Sequence, residues 1–175
     1  MHKYFLKKFY FINSFKKNNI DKLDNNTGVI FRNYKKKLNV NEIIKIKNYC
    51  KKKKIKFFLS NNIKLALKLR LDGAYLPSFY SNFQHLSFQV ISSFLLIGSA
   101  HNLKEIRIKE KQKVNLIFIS SVFKKNKNYL GKNKFRILRR LTKKPVIALG
   151  GFSKENIRKL KLLCCDGFSG ISYFK

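Results

Sequence analysis

The chain has 175 residues and is strongly basic, with 40 Lys and Arg against 8 Asp and Glu and a formal net charge of +32. Its length predicts one domain over residues 1–175, and its 45% apolar residues exclude a disordered chain. No apolar run approaches the ~20 residues of a membrane span, and the N-terminus is a poor secretory signal. The three cysteines lack metal-ligand spacing and suit a reducing compartment, so we expect a cytoplasmic protein with no membrane partner.

The basic residues are mostly lysine and occur on nearly every predicted helix, together with abundant Asn, Ile and Phe. That combination is typical of A/T-rich coding. A dedicated nucleic-acid binder concentrates its charge on one face and uses Arg for bidentate contacts. The charge therefore predicts salt-sensitive, nonspecific attraction to polyanions. A nonspecific nucleic-acid or polyanion binder remains the alternative function from a different class.

Short apolar runs alternate with helical patterns along the chain, which is typical of βα repeats and a parallel sheet. The runs predict eight strands, at residues 9–12, 28–31, 56–59, 73–76, 94–97, 116–119, 146–149 and 167–171. Helices are clearest at residues 41–53, 62–71, 103–111, 135–141 and 154–163. This order predicts an α/β protein, a small (β/α)8 TIM barrel whose last outer helix is missing or vestigial. A neighbouring subunit of a homo-oligomer could cover that flank.

Local motifs mark several element ends. Asn39 with Glu42, and Asn102 with Glu105, have the spacing of capping boxes at two helix starts. The sequence Asp-Gly recurs before the fourth and eighth predicted strands, at residues 72–73 and 166–167, which indicates a faint internal repeat between the two halves of the barrel.

Small residues follow the last two predicted strands. Gly150 and Gly151 remove side chains where the chain leaves strand seven, so backbone N–H groups can approach an anion closely. Ser153 can cap the following helix. Paired loops after the last two strands are where (β/α)8 barrels tend to hold a phosphate. The alternative is a tight turn with packing glycines.

Segments at successive predicted strand ends carry a family resemblance. They are residues 29–34 (VIFRNY), 61–66, 71–77 (LDGAYLP), 97–101 (IGSAH), 119–123 (ISSVF), 144–153 and 165–172. Their order and intervals resemble the thiamine phosphate synthase and TenI superfamily of (β/α)8 barrels over residues 28–174. The chain looks most like a short, divergent branch of that superfamily found in alphaproteobacteria.

The resemblance implies a transferase that acts on small phosphorylated substrates. Family members join hydroxymethylpyrimidine diphosphate to thiazole phosphate, with Mg²⁺, Lys and Arg stabilising the departing pyrophosphate. By position, the resemblance implies that Arg32 contacts the diphosphate, that Asn61 orients the substrate and that Ser99 lines the pocket. Ser120 and Phe123 would shape the loop after strand six. The thiazole phosphate would be bound by Gly150, Gly151, Ile171 and Ser172. Simple packing is the alternative for Phe123 and Ile171, and a surface salt bridge for Arg32.

The sequence departs from the family at the positions of the metal ligands. In the family, one Asp after the strand-three Asn and another after strand four hold Mg²⁺, whereas this chain has Asn62 and Pro-Ser-Phe at residues 77–79. Asp72 and Asp166 precede strands, on the stability face of a barrel. A hard divalent cation normally needs a carboxylate, so we expect no protein-bound metal. Any Mg²⁺ would be held mainly by substrate phosphates.

The loop after strand six reads Lys-Lys-Asn-Lys at residues 124–127, where the family has Pro-Thr. Our hypothesis is that Lys124, Lys125 or Lys127 supplies the positive charge that Mg²⁺ supplies elsewhere. The alternative is a solvated loop on a catalytically impaired barrel that only binds a phosphate ligand. A TenI-like tautomerase is less favoured, because the histidine it would place in this loop is absent. His101 is expected to be a polar group at a helix start, with support of a neighbouring site residue as the alternative.

Overall fold

The computed structural model describes residues 7–34 and 38–174 and forms a closed barrel of eight parallel strands, in which β8 returns to pair with β1. The strands are β1 (Lys8–Ile12), β2 (Thr27–Phe31), β3 (Phe57–Ser60), β4 (Gly73–Leu76), β5 (Leu95–Ala100), β6 (Leu116–Ser120), β7 (Val146–Leu149) and β8 (Gly167–Ser169). All eight predicted strands are present, and the predicted (β/α)8 fold is confirmed.

Five α-helices pack around the barrel. They are α1 (Lys17–Asp21), α2 (Val40–Lys52), α3 (Ile63–Lys68), α4 (Leu103–Lys111) and α5 (Gly131–Arg140). Three short 3₁₀ helices lie at Gln84–Ser87, Ile157–Leu163 and Ser172–Phe174, the last being the only helix after β8 in the described chain. Within residues 7–34 and 38–174, no helix is both long enough and apolar enough to cross a membrane.

The predicted helix at residues 154–163 is a 3₁₀ helix that begins at Ile157. Its apolar residues Ile157, Leu160 and Leu163 recur every third position, which places them on one face of a helix with three residues per turn. The prediction that Ser153 caps this helix is wrong, because the helix begins farther along. The Oγ of Ser153 donates instead to Glu155 at 3.1 Å.

The two predicted capping boxes are present in part. Asn39 accepts a hydrogen bond from the backbone N–H of Glu42 at 3.3 Å, and Asn102 accepts one from that of Glu105 at 2.9 Å. Neither glutamate accepts from the backbone N–H of its cap residue, although Glu105 accepts from the side chain of Asn102 at 3.1 Å. The Glu42 carboxylate accepts from the N–H of Phe15 at 2.9 Å and so ties α2 to the chain after β1.

Aromatic and aliphatic side chains fill the barrel interior. The buried set comprises Phe9, Phe11, Ile30, Phe58, Tyr75, Ile97, Leu116, Phe118 and Ile147. The ring of Phe118 lies 4.9 Å from that of Phe9 and 5.6 Å from that of Tyr75. The interior is therefore a packed core, and ligand space is confined to its ends.

The repeated Asp-Gly step has the same geometry in both halves of the barrel. Asp72, before β4, accepts a hydrogen bond from the N–H of Phe57 at 2.9 Å, and Asp166, before β8, accepts one from Val146 at 2.7 Å. A Cβ on the glycine after either aspartate would collide with a backbone carbonyl of the next strand. Both aspartates thus lie at the amino ends of strands, as predicted.

The barrel closes on its shortest ladder. β1 pairs with β2 from Lys8↔Thr27 to Ile12↔Phe31, but pairs with β8 only at Lys8↔Phe168 and Phe9↔Ser169. The prediction that strand eight extends to residue 171 is wrong, because β8 ends at Ser169. The residues that follow leave the sheet and line its open end.

A buried polar network joins α4 to the connection between β4 and β5. Lys109 is fully buried, and its Nζ donates to the carbonyl oxygen of Tyr80 at 2.6 Å and to Oε1 of Gln112 at 3.1 Å. The Nε2 of Gln112 donates to the same carbonyl at 3.0 Å, and His85 contacts the carbonyl oxygen of Gln112 at 2.9 Å. These bonds hold a connection whose only helix among the described residues is one 3₁₀ turn.

We predict that Lys109 makes stability depend on pH. Burial lowers the pKa of its ammonium to about 8, against 10.5 for an exposed lysine. Between these values the unfolded chain binds more protons at this residue, so the free energy of unfolding contributed by Lys109 rises with pH. Relative to wild type, K109M should lose up to about 3 kcal/mol of stability between pH 7.5 and 10.5.

Urea unfolding of both proteins across this pH range checks the prediction. Burial raises the pKa of Cys50 and of Tyr75 to about 12, which acts in the opposite direction on total stability. Both groups are present in both proteins, so their effect cancels in the difference. Parallel stability curves for wild type and K109M would contradict the assignment.

Candidate active site

A cavity of about 490 Å³ opens at the carboxyl ends of β1, β2, β6, β7 and β8. Its walls are Phe11, Arg32, Ser120, Ser121, Lys124, Asn126, Leu149, Gly150, Gly151, Phe152, Gly170, Ile171 and Ser172. This is the end of the fold at which barrel enzymes carry their active sites. The cavity brings together Arg32, Ser120, Gly150, Gly151, Ile171 and Ser172 among the residues predicted from sequence.

The loop after β7 requires its two glycines. Gly150 has φ +106° and Gly151 has φ +80°, a region that L side chains rarely adopt. A Cβ on Gly150 would collide with Oγ of Ser121, and one on Gly151 would lie 2.6 Å from the backbone nitrogen of Lys124. The glycines therefore let this loop pack directly against the loop after β6.

The loops after β7 and β8 line the cavity with residues whose backbone N–H groups have no acceptor within the described chain. Among the described residues, no protein acceptor takes a hydrogen bond from the N–H of Gly150, Gly151, Ile171 or Ser172. Ile171 is 43% exposed, and Ser172 begins the 3₁₀ helix that follows β8. Unpaired N–H groups in a concave site favour binding of an anion.

Arg32 lies at the end of β2 and lines the cavity. Its guanidinium carbon is 4.4 Å from the centre of the Phe11 ring, and its backbone N–H donates to the carbonyl oxygen of Ile12 at 2.8 Å. Within the described chain it has no carboxylate partner, so the surface salt bridge considered from sequence is not present. Stacking on the ring fixes the guanidinium while its charge remains available.

The loop after β6 contributes one lysine to the cavity. All three lysines of this loop are exposed, but only Lys124 lines the cavity, and Lys125 and Lys127 lie outside the lining. The Oγ of Ser121 donates to the carbonyl oxygen of Lys124 at 2.8 Å. Of the three lysines in our hypothesis, Lys124 is thus the one that the fold brings to the site.

Phe123 packs rather than lining the cavity. Its ring centre lies 5.1 Å from that of Phe152 in an edge-to-face arrangement, and its backbone N–H donates to the carbonyl oxygen of Gly150 at 2.9 Å. The Phe123 side chain is therefore placed as in the alternative considered from sequence, which was simple packing. Its backbone nevertheless fastens the loop after β6 to the loop after β7.

Asn61 and Ser99 are not among the residues that line the cavity. Ser99 is 4% exposed and hydrogen-bonds the hydroxyl of Tyr75, whose pKa is raised to about 12 by burial and which is therefore a neutral phenol at physiological pH. Asn61 is exposed at the end of β3 with φ +60°. The Tyr75 side chain itself is buried among the aromatic and aliphatic side chains of the barrel interior.

The residues present do not fit a protein-held Mg²⁺. The Oδ1 of Asn62 accepts from the N–H of Leu65 at 3.0 Å and so caps α3. Glu42, Glu105 and Glu155 lie near helix starts on the cavity's face, but each is hydrogen-bonded locally and none lines the cavity. The described residues contain no group of three or more His, Cys, Asp or Glu that could hold a metal.

Positive charge is spread over the whole outer surface. Exposed lysines occur on all five α-helices and on the 3₁₀ helix after β7, for example Lys17, Lys45, Lys64, Lys104, Lys132 and Lys159. This distribution forms no single stripe in the described chain. It favours the interpretation of the charge as compositional background.

Several cavity residues were not predicted from sequence. They are Phe11, Ser121, Asn126, Leu149, Phe152 and Gly170. Gly170 carried a signal, since it lies in the small-residue segment after β8. The apolar cavity residues carried no such signal, because the sequence pattern of an apolar residue at a strand end is the same whether its side chain packs in the core or borders a pocket.

A closed parallel barrel with its cavity at the carboxyl ends of the strands places the chain in the (β/α)8 class. Within that class the chain belongs to the thiamine monophosphate synthase family, whose model matches residues 23–174. The resemblance predicted from sequence is confirmed.

The similarity to individual proteins is moderate. The thiamine-phosphate synthase of Methanococcus vannielii is 29% identical over 121 residues, or 66% of this chain and 56% of that protein. That of Prochlorococcus marinus subsp. pastoris is 30% identical over 135 residues, or 75% of this chain and 38% of that protein. The matched parts thus span 56% and 38% of the lengths of these two relatives.

Among solved structures, thiamine phosphate pyrophosphorylase from Pyrococcus furiosus superposes with a TM-score of 0.79. The superposition covers 95% of this chain and 86% of that one, at 21% identity. The two proteins therefore share a fold.

Proposed function

We propose that the chain is a transferase of the thiamine phosphate synthase type, joining hydroxymethylpyrimidine diphosphate to thiazole phosphate and releasing pyrophosphate. One observation carries the proposal: a single cavity is lined by the cationic residues Arg32 and Lys124 and by the loops after β7 and β8. Two anionic substrates could then share one space while separate groups compensate their charges. Family membership supports the same reaction.

The reaction breaks the C–O bond between the pyrimidine methylene carbon and the diphosphate, and the electron pair leaves with the diphosphate. The lone pair of the thiazole nitrogen then forms the new C–N bond. Arg32 and Lys124 stabilise the negative charge that grows on the diphosphate. The N–H groups of the loops after β7 and β8 hold the thiazole phosphate, so that its nitrogen is positioned before the bond breaks. No step is assigned to a metal, because the chain does not supply ligands for one.

An assay with both substrates, with and without EDTA, tests the proposal. We expect thiamine phosphate to form in both conditions, with EDTA lowering the rate by less than about tenfold because protein cations supply the charge. K124A should be more sensitive to EDTA than wild type. K132A removes the same charge from the exposed face of α5 and serves as the control.

The remaining outcomes separate the alternatives. If wild-type activity disappears with EDTA, the positive charge that stabilises the departing diphosphate comes from a metal bound to the substrate phosphates. No product in either condition would contradict a synthase and leave a catalytically impaired barrel that binds a phosphate ligand.

A further inference from the structure

The side chains of His101 and Asn128 connect the end of β5 to the loop after β6. The Nδ1 of His101 lies 2.8 Å from the carbonyl oxygen of Ser120, and its Nε2 lies 3.3 Å from Nδ2 of Asn128. A carbonyl oxygen can only accept, so Nδ1 carries the proton and Nε2 accepts from the amide. The neutral ring, protonated on Nδ1, satisfies both contacts at once.

His101 is itself held firmly. Its backbone N–H donates to Oε2 of Glu105 at 2.6 Å, and the other carboxylate oxygen accepts from the side chain of Asn102 at 3.1 Å. The imidazole is therefore fixed to the start of α4, an element of the scaffold. It does not line the cavity and can act there only through other residues.

The loop that His101 anchors carries part of the cavity wall. The carbonyl oxygen of Asn128 accepts from the N–H of Ser121 at 2.8 Å, and the hydroxyl of Ser121 holds the carbonyl of Lys124. The same imidazole nitrogen lies 3.1 Å from the hydroxyl of Ser120, another cavity residue. A continuous chain of hydrogen bonds thus runs from α4 to the lysine of the site.

We propose that His101 is a positioning residue of the active site. Acting through Asn128 and Ser120, it sets the loop after β6 so that Ser120 and Lys124 face the leaving diphosphate. The proposal deepens the proposed function and rests on it. It predicts an effect on the chemical step rather than on thiazole phosphate binding, because that substrate is assigned to the other loops.

Kinetics of three variants test the proposal. H101L removes both contacts, N128A removes one, and H101Q keeps one donor and one acceptor. We expect H101L and N128A to lower kcat at least ~10-fold, with the KM for thiazole phosphate changed less than ~3-fold, since displaced catalytic groups slow chemistry more than binding. H101Q should retain kcat within ~3-fold of wild type. H101L/N128A should be no slower than H101L, because both substitutions break one chain.

H85L is the control for general destabilisation, since His85 is buried in the connection between β4 and β5 and bonds the carbonyl oxygen of Gln112. It should lower the melting temperature without changing kcat. If H101L does not fold, the kcat values of N128A and H101Q are compared with that of wild type instead. A kcat within twofold of wild type in N128A, or an H101Q as slow as the loss-of-contact variants, would overturn the proposal.

A wild-type protein without turnover would contradict the proposed function, and the positioning role would then be measured by calorimetric titration with inorganic pyrophosphate. In that case H101L or N128A should bind pyrophosphate at least ~10-fold more weakly than wild type, with H101Q within ~3-fold. Equal pyrophosphate affinities in all variants would overturn the positioning role.

Discussion

Replacing Gly150 with alanine is expected to weaken binding of a phosphate ligand by about 100-fold and to lower the free energy of unfolding by about 2 kcal/mol. The residue has φ +106°, where an L side chain is strained. The added methyl would also collide with Oγ of Ser121 and lie 3.0 Å from its Cα. Relief of that collision must move apart the two loops whose backbones define the site.

Calorimetric titration with thiazole phosphate and urea unfolding measure the two effects. Gly131 provides a matched control, because it also has positive φ, +65°, but an added Cβ would meet nothing nearer than the Tyr129 hydroxyl at 3.3 Å. G131A should lose about 1 kcal/mol of stability with unchanged phosphate affinity. A G150A protein that binds thiazole phosphate like wild type would remove the loop after β7 from the site.

Replacing Arg32 with alanine is expected to lower kcat/KM by about 1,000-fold, because Arg32 lines the cavity and, among the described residues, no carboxylate neutralises its guanidinium. R32K keeps the charge but loses the planar group that stacks 4.4 Å above the Phe11 ring. It should recover only part of the loss, to within about 30-fold of wild type. Steady-state kinetics with both substrates measure these ratios.

R136A is the control, since it removes one arginine from the exposed surface of α5. R32A and R136A have the same net charge, so long-range attraction of the anionic substrates is equal in both. Activity of R32A equal to that of R136A would show that Arg32 contributes only general charge and does not contact the diphosphate.

Most strands were predictable because they contain a buried apolar run, but strand ends were not. β5 extends through Gly98, Ser99 and Ala100, and the pairs Ser99↔Phe118 and Ala100↔Ile119 continue its ladder. Small residues give no apolar signal, and only pairing with the next strand reveals them. α5 likewise begins at Gly131, four residues before its first buried side chain, Phe135.

The glycine turn after β7 was predictable because glycine indicates a backbone requirement, here a positive φ at Gly150 and Gly151. The roles of Ser99 and Asn61 stay predictions, because neither residue is among those that line the cavity. Whether the side chain of a strand-end residue enters the mouth of the barrel depends on the stagger of the strands, which the sequence does not encode locally. The bonds of His101 to Ser120 and Asn128 cross between successive loops, and no local pattern encodes them.

The short ladder between β1 and β8 gives a bound ligand a mechanical role. Only Lys8↔Phe168 and Phe9↔Ser169 close the barrel, and the loop after β8 carries two of the N–H groups assigned to the phosphate. On the proposed function, a phosphate bonded to the loops after β7 and β8 would connect the last two strands. Binding and closure are then thermodynamically linked, and ligand at 100 times its Kd adds about 2.7 kcal/mol to the closed state. On the proposed function, the protein loaded with a phosphate ligand should therefore resist proteolysis at its last strand better than the empty one.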